Sequence, residues 1–174
     1  MARLLLLRHA KTERAEAGER DRDRKLTARG RTDAATIGAY MVRHRLLPDL
    51  VLTSPAARAE ETLAGVAAEF AKSPRVAHEE RIYNASPDTL IRLIRETRGA
   101  KTLLVVGHNP GLHDVALALV GSGDTETRER LAEKLPTSGL VVIDFAFDDW
   151  SRLRVNSGTI ERFISPRSIE AAND

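Results

Sequence analysis

Arg8-His9, Arg58 and His108-Asn109 are the residues in this 174-residue chain whose types and placement could do chemistry. A neutral imidazole can attack phosphorus and carry the group covalently, dividing one difficult displacement into two easier ones. Two guanidinium groups can grip nonbridging oxygens through bidentate, charge-assisted bonds. A second imidazole, if protonated, adds charge where the equatorial oxygens sit. A helix opening at Pro110 would aim free backbone amides and the positive end of its dipole at the same volume. Such a set handles a phosphoryl group with no metal and no organic cofactor.

Three segments must be brought together for these groups to meet, and the patterning supplies elements that could do it. Residues 2 to 8 form a short apolar run, read as a buried strand that ends on Arg8-His9. Residues 11 to 25 are almost wholly polar and read as an exposed loop beside His9 that could cover it. Apolar positions recur at helical spacing from Thr27, a cap, to about Leu46. A second strand at 49 to 53 is followed by Ser54-Pro55, a cap and first-turn proline for a helix to about Lys72, with Arg58 one turn in. A brief strand near 75 to 78 precedes a helix opened by Ser86-Pro87. The apolar run 102 to 107 is a strand ending in Gly107-His108, and Asn109-Pro110 supplies the next cap and first-turn proline, for a helix to about Val120. A polar helix near 125 to 135 is followed by two strands, LVVIDFAF and WSRLRVN, arranged as a hairpin around Asp148-Asp149.

Strands alternating with helices predict an α/β fold, a three-layer αβα sandwich on a mostly parallel sheet with one antiparallel element. In such sheets ligands bind beyond the carboxyl ends of the strands, where Arg8, His9, Arg58 and His108 all fall. Each has a plainer explanation when taken singly. His9 could be a turn residue, Arg58 a surface arginine, and Asn109 a helix cap. Glu79-Glu80 could be a solvated acidic pair. His108, His113 and Asp114 could suggest a metal site, but a spacing of five does not stack two histidines on one helical face.

Composition narrows the class. There are 27 Lys plus Arg against 25 Asp plus Glu, and 22 of the 27 are arginine. A formal charge of +2 gives no basic face for nucleic acid. The absence of cysteine removes disulfides, thiolate metal sites and a cysteine nucleophile. Arg8 and His9 end the leading apolar run short of a signal peptide's core, and no run approaches a membrane span, so a cytoplasmic location is expected.

Several segments resemble those of a known family. LLLLRHAKTE at 4 to 13 is similar to the first block of the histidine phosphatase superfamily, branch 1, which includes the phosphoglycerate mutase-like enzymes. LTSPAARAEETL at 52 to 63 resembles its second block, and VVGHNPGL at 105 to 112 its third. LTARG at 26 to 30 fits its Leu-Thr-x-x-Gly segment. The short length and the His-Asn-Pro version of the third block look most like the SixA-type phosphohistidine phosphatases. The resemblance implies a single domain over 1–166, and the SIEAAND composition of the residues after it suggests that 167–174 is a frayed tail. It implies His9 as a nucleophile that is transiently phosphorylated. Arg8 and Arg58 would hold the phosphate and His108 would complete the pocket, with Thr12 and Asn109 as further phosphate-binding candidates. Glu80-Arg81-Ile82-Tyr83 is similar to the segment that carries the general acid in many members, which makes Glu80 the candidate acid. The expected substrate is a phosphorylated protein bearing phosphohistidine. The alternatives are a small phosphomonoester protonated by Glu80, and a noncatalytic module that binds a phosphorylated ligand.

Overall fold

A computed structural model describes residues 1–173. Seven strands form one sheet: β1 (Ala2–Arg8), β2 (Leu50–Thr53), β3 (Arg75–His78), β4 (Thr102–Gly107), β5 (Val120–Gly123), β6 (Leu140–Phe145) and β7 (Gly158–Ile164). Their order across the sheet is β3-β2-β4-β1-β6-β7-β5. Only β6 runs against its neighbours, antiparallel to both β1 and β7. The helices are α1 (Ala28–Arg43), α2 (Ala57–Ala67), α3 (Pro87–Arg95), α4 (Gly111–Leu119), α5 (Thr125–Glu133) and α6 (Pro166–Asn173).

The four consecutive leucines of β1 explain the layering. Side chains alternate across a strand, so an unbroken apolar run must be covered on both faces. Leu4 and Leu6 pack with Leu90 and Ile94 of α3, Leu112 and Val115 of α4, and Leu131 of α5. Leu5 and Leu7 pack with Ile37 and Met41 of α1 and with Leu63 and Val66 of α2, and Ile169 of α6 rests against that core. All four leucines are fully buried, each contributing roughly 2 kcal/mol of apolar transfer free energy. The expected three-layer α/β sandwich is the observed fold.

Several local expectations differ from the structure. Ser54-Pro55 does not open α2: Ala56 occupies the cap position, the helix begins at Ala57, and it ends at Ala67 rather than Lys72. Asn109 does not cap α4: Pro110 holds the cap position before Gly111, and the side-chain amide of Asn109 donates to the Leu135 carbonyl instead. The residues of WSRLRVN do not form the second hairpin strand. Trp150 is buried, donates from Nε1 to the Ala100 carbonyl at 2.7 Å, and stands edge-on to Phe145 and Phe147. That burial curls residues 150–152 into a 3-10 turn, and the partner of β6 is the later segment β7. The edge strand β5, VGSG, carries no strand signal in its residues and forms by pairing with β7. The tail expected to fray contains α6.

Candidate active site

The register of the sheet brings three segments to one place. Arg8 pairs with Gly107 across β1 and β4, and Thr53 pairs with Val106 across β2 and β4. The next residues continue that pairing, with the His9 amide donating to Gly107 O at 3.1 Å and the Ser54 amide to Val106 O at 3.0 Å. His9, Ser54 and His108 therefore leave adjacent carboxyl ends of parallel strands.

His9 is buried, and its Nδ1 lies 2.8 Å from the Ala10 carbonyl. A carbonyl only accepts, so Nδ1 carries the hydrogen and Nε2 carries the lone pair. Burial pushes the imidazole down to about 4, and the charges of Arg8 and Arg58 add to that effect. A neutral ring with its hydrogen engaged at Nδ1 is the state a nucleophile requires. The turn around it is held from below. The Ala10 amide donates to Thr62 Oγ1 at 2.9 Å, and that hydroxyl donates to Arg58 O at 2.6 Å, so α2 fixes the His9 turn and Arg58 together. Gly30 of LTARG sits against the same turn, where a Cβ would lie 2.3 Å from Lys11 O.

His108 lies beside His9, with ring centroids 5.3 Å apart and planes tilted by 54°. Its Nε2 is 2.7 Å from Ser54 Oγ. Burial, reinforced by Arg58, pushes His108 down to about 3. His108 is therefore a neutral ring, where the sequence leaves its protonation open.

Arg8 donates to the Leu135 carbonyl at 3.1 Å, and Asn109 Nδ2 donates to the same oxygen at 2.9 Å. Asn109 thus braces the loop before β6 beside Arg8. Ser138, in that loop, has a left-handed backbone (φ 59°) and gives its amide to both Arg8 O and His9 O. Arg58 is buried, and its NH1 and NH2 are held by Asp21 through the backbone oxygen at 2.9 Å and Oδ2 at 3.1 Å. The Nε atoms of Arg8 and Arg58 are buried with no hydrogen-bond partner among the described residues.

Asp21 shows where the charged loop goes. It receives the Tyr83 hydroxyl as well as Arg58, and those two hold its carboxyl down to about 2. Tyr83 in turn meets the His108 ring edge-on at 5.5 Å. Arg22 lies over Tyr83 and makes a two-pronged pair with Glu80, at 2.6 and 3.1 Å.

The structure brings Arg8, His9, Arg58 and His108 together and treats the other candidates differently. Thr12 bridges to Leu26 and accepts from Arg24 at 3.3 Å, one step outside the cluster. Glu80 is exposed, and its pairing with Arg22 lowers its pKa, the opposite of the shift a neutral acid needs. His113 is occupied with the Leu131 carbonyl at 2.6 Å. Asp21, Tyr83 and Ser138 are additions that sequence reasoning did not single out, and Ser54, read as a helix cap, instead faces His108. Ser54 lay within a quoted block and Tyr83 ended the segment of the candidate acid, while nothing marked Asp21 or Ser138.

Comparison with known proteins agrees with this geometry. The family profile for the histidine phosphatase superfamily (branch 1) matches residues 4–85. An uncharacterized protein of Mycobacterium leprae is 38% identical over 149 residues, covering 84% of this chain and 89% of the relative. A solved structure from Agrobacterium tumefaciens, assigned as the phosphohistidine phosphatase SixA, has 32% identity and a TM-score of 0.81, covering 95% of this chain and 98% of that one. One with the same assignment from Nakamurella multipartitia has 25% identity and a TM-score of 0.82, covering 95% and 96%. No helix among the described residues is long and apolar enough to cross a membrane.

Proposed function

The chain belongs to branch 1 of the histidine phosphatase superfamily and is a phosphatase, and we propose that it removes phosphate from phosphohistidine on a protein phosphotransfer domain. In the first step His9 Nε2 attacks phosphorus. The bond from phosphorus to the substrate imidazole breaks, that imidazole takes a proton from solvent, and phosphate is carried on His9. In the second step water attacks the same phosphorus, the bond to His9 Nε2 breaks, and inorganic phosphate leaves. Arg8, Arg58 and His108 hold the nonbridging oxygens through both steps. The residues in this set do the work of charge stabilisation without a metal.

The observation that carries the choice of substrate is the state of the nearby carboxyls. An alkoxide leaving group needs a protonated acid within reach. Glu80 is kept ionised by Arg22, and Asp21 by Tyr83 and Arg58. An imidazole departs without such an acid. A noncatalytic module would need the arginines but would gain nothing from a buried, neutral His9.

The test is phosphate release from a phosphohistidine-bearing phosphotransfer domain and from p-nitrophenyl phosphate. Wild type is expected to act on the first and to form an acid-labile phosphoenzyme. His9→Ala is expected to lose both, with turnover falling roughly a thousandfold or more. Turnover unaffected by His9→Ala would overturn the mechanism. Turnover of neither substrate by wild type would point to a binding module.

A further inference from the structure

His108 has two ring nitrogens, and protein atoms use only one. Nε2 faces Ser54 Oγ at 2.7 Å, while Nδ1 is buried with no hydrogen-bond partner among the described residues. Ser54 is itself fully buried, and its oxygen already accepts the Ala56 amide at 3.2 Å. A hydroxyl has one hydrogen to donate, and a buried one is costly to leave without an acceptor. Among the described residues the acceptor within reach of the Ser54 hydroxyl is His108 Nε2. If Ser54 donates there, a neutral His108 must carry its own hydrogen on Nδ1.

We propose that Ser54 is a positioning residue that fixes His108 as the Nδ1–H tautomer, which makes Nδ1 the atom that donates to the transferring phosphoryl group. This inference rests on the phosphatase reading of the site. Burial keeps His108 uncharged, so the tautomer decides what it can do. Histidine free in water prefers its hydrogen on Nε2, and among the described residues Ser54 is the group that opposes that preference. His9 adopts the same tautomer for the opposite purpose. Its Nδ1–H is occupied by Ala10 O, and it presents a bare Nε2 as nucleophile. His108 has its Nε2 occupied and presents an N–H. Arg8 and Arg58, the two other side chains of the phosphate clamp, likewise each carry a buried Nε–H without an acceptor among the described residues.

The test is long-range proton–nitrogen NMR of the histidine rings in 15N-labelled protein, read alongside kinetics. In wild type the His108 pattern is expected to be that of a ring protonated on Nδ1 and accepting at Nε2. In Ser54→Ala it is expected to move toward the Nε2–H form, while kcat falls on the order of tenfold and KM changes little. Ser54→Thr, which keeps a hydroxyl, is expected to restore the wild-type ring pattern. A wild-type His108 protonated on Nε2 would overturn the proposal without any variant being made. A ring pattern unchanged in Ser54→Ala would overturn the role of Ser54. If the phosphatase reading fails, wild type shows no turnover, and the NMR result still reports the tautomer separately.

Discussion

The Asp21 carboxylate occupies NH2 of the Arg58 guanidinium, one of the two groups placed to hold a phosphate. Its backbone oxygen holds NH1 of the same side chain. The backbone contact orients Arg58, whereas the carboxylate competes with any anion that Arg58 is to bind. Asp21→Asn keeps the first contact and weakens the second. We expect this variant to bind inorganic phosphate about fivefold more tightly, a gain in line with removing one half-exposed ion pair, read as a lower competitive inhibition constant. Unchanged or weaker phosphate affinity would show that the carboxylate acts only by holding Arg58 in place.

Glu80 is the residue that separates the two substrate classes. Its pairing with Arg22 predicts that Glu80→Gln turns over a phosphohistidine domain within about twofold of wild type. Loss of a protonating group typically costs on the order of a hundredfold or more. Such a loss on an alkyl phosphate such as glycerol phosphate, with the acid limb of its pH profile moved, would instead make Glu80 an acid for alkyl esters.

The two active-site histidines give the fold a pH signature. They are held at about 4 and about 3 in the folded protein, whereas in an unfolded chain both lie near 6.5. Between those limits the unfolded state takes up protons that the folded state refuses. Stability is therefore full above pH ~6.5 and falls as pH drops, by at most about 1.4 kcal/mol per pH unit for each ring. Asp21, held at about 2, loses its contribution only at lower pH, below the ordinary carboxylate range. Urea midpoints at about pH 7, 6 and 5 should fall more steeply for wild type than for His9→Gln. Parallel curves would remove the histidines as the cause.

Thr62 links structure to chemistry through one hydroxyl. Thr62→Val keeps the shape but leaves the buried Ala10 amide without its acceptor. The expected loss is about 1–3 kcal/mol of stability, measured by urea unfolding. A drop in kcat is expected with it, because the freed amide belongs to the turn that carries His9. A stable variant with normal kcat would show that the turn is held well enough by the strand register alone.

The fold was legible where physics is local. The apolar runs of β1 and β4 and the helical spacing of α1 and α3 need no distant partner to be read, and the strand ends then placed Arg8, His9 and His108. Ser54 and Asn109 were misread for a shared reason. Each precedes a proline and has the side chain of a helix cap, but the oxygen of Ser54 faces His108, 54 residues away, and the amide of Asn109 serves Leu135. Asp21 was one acid among many in a polar loop, and only Arg58 and Tyr83, far along the chain, give it meaning. The residues of WSRLRVN alternate like a strand, and the burial of Trp150 overrides that pattern.

The placement of His9 at the end of four fully buried leucines also sets how the site can fail. A central strand bonded on both sides is expected to open only with the whole domain, so the protection of amides near it is set by the free energy of global unfolding. Asp21 and Arg22 lie in the polar loop, where Arg22 pairs with the exposed Glu80 and the Asp21 carboxylate is half-exposed, and such a segment is expected to open at smaller cost. The proposed nucleophile is thus expected to sit in the most protected part of the molecule, while the group that competes for Arg58 is expected to sit in a part that opens at smaller cost.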